Sequence, residues 1–130
     1  MRDIDYIVFH CTATSQNTKV SSIKKYWKEK LGWKNPGYHL IIEPNGNLVQ
    51  LAPFHMVVNG VRGHNHNSIH VSYIGGKNED DRTSDQIRTQ KTVLKLLRQF
   101  YKDAKIMGHR DFEGVKKSCP RFDVQTLLLK

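Results

Sequence analysis

The spacing of apolar positions changes several times along the chain, and each change marks an element. Ile4 to Phe9 is an almost unbroken run of β-branched and aromatic residues that ends at His10, which predicts a central strand. Thr12 to Ser21 is polar and reads as loop. From Ser22 to Trp33 the period lengthens. Ile23, Tyr26, Trp27 and Leu31 fall near one face, lysines take the other, and Gly32 with Pro36-Gly37 supplies the stop, so a helix is expected. Tyr38 to Glu43 and Leu48 to Leu51 flank Asn45-Gly46, a hairpin signal. Residues 53–68 have no clear period and read as a long ordered loop.

Ile69 to Ile74 is a further short strand, ended by Gly75-Gly76. Thr83 and Gln86 stand at capping-box separation ahead of a helix that carries Ile87, Leu94, Leu97 and Tyr101 and runs to Asp103. Ile106-Met107 predicts a last strand, and Phe122 to Lys130 a short terminal helix. Strands and helices mix, with a hairpin between them. The expected fold is a single α/β domain over residues 1–130, with a central mixed β-sheet flanked by helices.

Length and charge narrow the reading. A chain of 130 residues holds one domain and a real core. The formal net charge of +9 favours polyanionic partners, but the lysines and arginines are scattered and leave the polyanion open. No RNA-binding signature or zinc-finger spacing is present, so no sequence-specific nucleic-acid binding is expected. No segment approaches the apolar length of a membrane span. The amino terminus lacks a basic, then apolar, then small-residue pattern. The chain is therefore expected to be cytoplasmic as synthesised, reaching any external substrate by another route. Two cysteines make no disulfide framework. Cys11 follows His10 on a strand, so the two side chains should face opposite ways, with Cys11 in a core.

Three residues far apart in sequence stand out chemically. His10 ends the first apolar run, His109 follows Ile106-Met107-Gly108, and Cys119 lies in Lys117-Ser118-Cys119-Pro120. Two imidazoles and a thiolate suit Zn²⁺ and leave a fourth position open, the pattern of a catalytic site. Other groupings compete on residue type alone. His64 and His66 with His70 could hold a metal, and Cys119 with His109 could form a nucleophilic pair. Taken singly, each candidate reads more simply as a core or loop residue. His39 within a strand and His55 after Pro53-Phe54 also read as structural. The residues rank these options without closing them.

The ordered motifs are more specific. Ile7-Val8-Phe9-His10-Cys11-Thr12-Ala13-Thr14, Gly37-Tyr38-His39-Leu40-Ile41-Ile42 with Asn45-Gly46, Asn65-His66-Asn67-Ser68-Ile69 with Gly75-Gly76, Gly108-His109-Arg110, and Lys117-Ser118-Cys119-Pro120-Arg121-Phe122-Asp123 together resemble the zinc-dependent N-acetylmuramoyl-L-alanine amidases. The resemblance runs in order along nearly the whole chain. It is nearest to small phage endolysins and extends to peptidoglycan recognition proteins.

It implies Zn²⁺ held by His10, His109 and Cys119, catalytic or oxyanion-stabilising roles for Tyr38 and Lys117, and zinc-bound water as nucleophile. The implied substrate is the amide between N-acetylmuramic acid and L-alanine in peptidoglycan, cut by an endolysin acting on the bacterial wall. Cytosolic recycling amidases use an aspartate as third ligand, and non-catalytic peptidoglycan readers lack the cysteine. Cys119 therefore favours the wall-cutting branch. The phage relatives also imply RNA polymerase as a partner, which no residue here tests. Two departures stand out. His70 occupies a position where the relatives usually have glycine, and Asp111-Phe112-Glu113-Gly114-Val115 differs from them, with Glu113 read as a solvated loop carboxylate.

Overall fold

Five strands and two helices build a three-layer domain in the computed structural model, which describes residues 2–129. Strand β1 spans Tyr6–Cys11, helix α1 Val20–Glu29, β2 Leu40–Ile42, β3 Leu48–Gln50, β4 Ser68–Tyr73, helix α2 Ser84–Phe100 and β5 Lys105–Gly108. The sheet order is β3-β2-β4-β1-β5. β2, β4, β1 and β5 run parallel, and β3 pairs antiparallel at one edge. The expected mixed sheet flanked by helices is what the chain forms.

Alternation along the strands separates the layers. Ile7, Phe9 and Cys11 of β1, and Ile69, Val71 and Tyr73 of β4, pack with Val93, Leu94 and Leu97 of α2. On the opposite face Ile41 and Ile74 meet Ile23 and Trp27 of α1. Val8 meets Val61 and Phe112 on the loops that cover the sheet there. Cys11 lies in the α2-side core, as its strand position requires. A central parallel strand covered on both sides needs hydrophobic residues at almost every position, which is why β1 reads as a run.

The hairpin and α2 form as their local signals dictate. The turn at Asn45-Gly46 takes a positive φ at Gly46, and Thr89 Oγ1 donates to the Gly46 carbonyl at 2.7 Å. The capping box at Thr83 and Gln86 is complete. Gln86 is buried and also donates to the carbonyls of Ile74 and Ile42 (3.0 and 3.3 Å), closing the ends of β4 and β2.

Several boundaries differ from the sequence expectation. Helix α1 begins at Val20 and stops at Glu29, short of Leu31, which is exposed; Tyr26 lies within the helix but is exposed as well rather than core-facing. The Lys30 and Leu31 amides both turn back to the Tyr26 carbonyl, and Gly32 at φ +66° breaks the helix. Trp33 then returns to stack on Trp27. Helix α2 ends at Phe100 rather than Asp103. The terminal segment forms a 3₁₀ turn over Val124–Leu128, and Lys130 of the expected helix lies outside the described residues. Tyr38 and His39 precede β2 rather than joining it. His39 is still bonded on both sides, its amide to the His70 carbonyl and its carbonyl to the Leu51 amide.

Candidate metal centre

The parallel register brings the two candidate histidines together. Phe9 is aligned with Gly108, so the next residues, His10 and His109, leave neighbouring strands side by side at their carboxyl ends. Their rings lie 4.9 Å apart. Ligand sites in open α/β sheets form at such strand ends.

Cys119 reaches the same point from a loop tied down on three sides. The Arg110 amide donates to the Cys119 carbonyl at 2.8 Å, Tyr73 Oη donates to the Pro120 carbonyl at 2.8 Å, and the Cys11 amide donates to Cys119 Sγ at 3.1 Å. Gly108 lets this loop approach, since a Cβ there would meet Pro120 Cδ at 2.9 Å. Gly76 does the same at the rim. It has φ +74°, and a side chain would meet Cys11 Sγ at 2.7 Å. The result is one ligand atom from each of His10, His109 and Cys119, all within 4.8 Å of one another.

This is the single such cluster among the described residues. The alternative grouping does not form: His64 packs its ring on Phe112 and Tyr6, while His70 is buried behind His10. Asp111 accepts from the Gly108 amide at 2.7 Å and does not pair with His109. His55 and Glu113 are exposed.

The electrostatics favour neutral imidazoles. Burial, then the charges of His70, His109 and Lys117, holds His10 well below the usual histidine range. Burial, reinforced by Lys117, lowers His109 to about 4. The Cys119 thiol is pushed up by its contact with Cys11 and then by burial. Tyr38 Oη donates to the Cys11 carbonyl at 3.2 Å, and burial first, then the nearby Cys119, raises its phenol so that it keeps its proton.

These residues line one pocket of about 180 Å³. His10, His109 and Cys119 share it with Tyr38 and Lys117. On either side it opens into larger depressions of about 710 and 680 Å³, and Trp33 and Lys117 border all three. The three depressions adjoin as one groove beside the candidate centre, with Trp33 and Lys117 on the wall they share.

Sequence reasoning missed His70 as a contact of His10, with Nδ1 2.8 Å from His10 Nε2. The signal was there in part. His70 and His10 share strand parity, but which strands lie side by side is not written in either segment. His39 is the other buried imidazole. Its Nδ1 accepts from the His70 amide at 3.0 Å, so its proton sits on Nε2 and donates to the Met56 carbonyl at 2.8 Å.

The chain is similar to known proteins in sequence and in fold. The family described as N-acetylmuramoyl-L-alanine amidase matches residues 1–122. The endolysin of Escherichia phage T7 is 34% identical over 128 residues, covering 93% of this chain and 83% of its own length. The solved N-acetylmuramoyl-L-alanine amidase LysC from Clostridium intestinale superposes with a TM-score of 0.86 at 23% identity, covering 97% of this chain and 83% of its own. Peptidoglycan recognition protein-LE in complex with tracheal cytotoxin, a monomeric diaminopimelic acid-type peptidoglycan, superposes with a TM-score of 0.79 at 19% identity, covering 92% and 75%.

Proposed function

The chain belongs to the N-acetylmuramoyl-L-alanine amidase family, and from that premise we propose how its own residues carry the reaction. The enzyme hydrolyses the amide that joins the lactyl group of N-acetylmuramic acid to L-alanine. In this reading His10, His109 and Cys119 hold zinc, and Tyr38 and Lys117 act on the scissile carbonyl. The observation that carries it is the convergence of three ligand atoms within 4.8 Å on the wall of a pocket shared with Tyr38 and Lys117.

The donor set fits the metal. Both histidines are kept neutral, as ligation requires, and the Cys11 amide already points at Cys119 Sγ, where a thiolate would accept its hydrogen bond. Zinc held there by three residues would supply Lewis-acid polarisation of the carbonyl and a lowered pKa for water in its open position.

The remaining work falls to the chain. As the carbonyl carbon becomes tetrahedral, negative charge grows on its oxygen, and Lys117 places an ammonium at the pocket edge to meet it. Tyr38 keeps its phenolic proton, which on turning from the Cys11 carbonyl would donate to the same oxygen or orient the attacking water. Trp33 offers a flat apolar wall where the groove narrows, suited to a sugar ring or a peptide edge. The excess positive charge favours an anionic wall, and an endolysin role is the reading this supports.

The test is hydrolysis of purified peptidoglycan, with metal content measured on the same samples of wild type and Cys119→Ser. The expected result is new L-alanine amino termini without new reducing sugars, one zinc per chain, and loss of both in the variant. Stoichiometric zinc without cleavage would make the protein a wall reader. A folded wild type that takes up no zinc would remove the three-ligand site.

A further inference from the structure

His70 lines no part of the groove, yet it stands directly behind a metal-ligand candidate. It is fully buried on β4, on the same face of the sheet as His10. Its Nδ1 lies 2.8 Å from His10 Nε2, and the two rings are 4.9 Å apart. Its own amide is fixed by His39 Nδ1 at 3.0 Å, and the His39 ring lies parallel to it within 5°. Gly60 closes over it from the covering loop. A Cβ at Gly60 would fall 2.3 Å from His70 Nδ1, so the loop backbone can seat there only without a side chain. Asn65 Oδ1 accepts from the Gly60 and Val61 amides at 3.0 and 2.7 Å and holds the loop in that place.

One further feature bears on what the ring is for. His70 Nε2 is buried and has no hydrogen-bond partner. A buried polar atom left unpaired is uncommon and costs about 1–3 kcal/mol. Of the two ring nitrogens only Nδ1 meets a polar side chain, His10 Nε2 at 2.8 Å.

We propose that His70 is a positioning residue for the metal centre. Its Nδ1 accepts the Nε2–H of His10, which fixes the His10 ring and leaves His10 Nδ1 free of a proton and available as the ligand atom. The inference rests on the zinc reading above. A neutral imidazole carries one proton, so the bond at one nitrogen decides what the other can do. With the proton on Nε2, His10 offers a lone pair at Nδ1. With His70 as the donor instead, the His10 proton would sit on Nδ1 and block ligation. Metal-bound histidines generally give their second N–H to a carboxylate, a carbonyl or water, and such partners set tautomer and orientation. Here a second imidazole fills that place.

Three proteins and two readouts test it. Zinc affinity is measured by chelator competition for wild type, His70→Leu and His70→Asn, and the tautomer of the His10 ring is read by heteronuclear NMR in the zinc-loaded wild type. Leucine keeps bulk without an acceptor, and asparagine returns an acceptor oxygen near the place of Nδ1. The leucine variant is expected to bind zinc about 10–100-fold more weakly, with the asparagine variant within about threefold of wild type. The wild-type spectrum is expected to show His10 protonated at Nε2. Unchanged affinity in His70→Leu overturns the proposal, as does a His10 proton on Nδ1. Equal weakening in both variants also overturns it, because the ring would then serve as packing alone. Should the leucine variant fail to fold, the wild-type spectrum decides. A wild type that binds no zinc removes the three-ligand site and this role together, and the wild-type titration distinguishes that failure from failure of the His70 role.

Discussion

The two faces of β1 and β4 are made from alternate residues of the same strands, yet they are built on different principles. Toward α2 stand Ile7, Phe9, Ile69, Val71 and Tyr73, a layer of hydrocarbon and aromatic surface around one anchored hydroxyl. Toward the covering loops stand His10, His70 and Ser72, buried as completely but polar. The first face gains stability by removing apolar surface from water. The second spends stability to hold imidazoles neutral and oriented. Burial alone does not distinguish core from site here. Hydrogen bonding does, since the polar face places His10 Nε2 against His70 Nδ1 at 2.8 Å, whereas the apolar face makes contacts of hydrocarbon and aromatic surface.

The contrast can be broken from either side. The largest effect is expected on the apolar face. Phe9→Ala should destabilise the protein by about 3–5 kcal/mol in denaturant unfolding, while the folded fraction keeps its turnover. A large fall in turnover per folded molecule would show that the two faces are coupled. Next is Lys117→Gln at the exposed rim of the site. Its kcat should fall about 10²–10³-fold, with an unchanged melting midpoint. A loss confined to KM would assign Lys117 to uniform substrate binding instead.

The smallest effect sharpens the comparison through pH. Burial lowers His39 to about 4 and His70 to about 3. Below the ordinary histidine range the unfolded chain takes up protons that the folded chain refuses, so stability is complete above about pH 6.5 and declines as pH falls. Between pH 7 and pH 6 these two groups together should remove about 1 kcal/mol, and His10 and His109 act in the same direction. A midpoint that stays level or rises over that interval would mean these imidazoles are not held neutral.

Local chemistry made much of the fold legible. The Asn45-Gly46 turn and the Thr83/Gln86 box work through residues close in sequence, so their hydrogen bonds can be read from spacing. The β1 run is legible because a strand covered on both faces leaves no room for polar residues. Leu31 misleads because its helical phase is right but the helix stops before reaching it. Gln86 and Gln90 are the converse case, buried although polar. They are polar residues on the buried face of α2, and for Gln86 the partners are strand-end carbonyls of β2 and β4, set by packing.

By itself the sequence determined the elements, to within a few residues at their ends, and three residues of the right kind for a metal. These follow from side-chain periodicity and donor chemistry, which belong to each segment alone. The tertiary structure decided that β5 lies beside β1 with Gly108 opposite Phe9, which sets His109 against His10. It also decided that β4 lies on the other side of β1, which puts His70 at hydrogen-bond distance from His10 Nε2. Strand order and register are properties of the whole packed sheet. The apolar residues of each segment state that it is buried, and only the assembled layers state beside what.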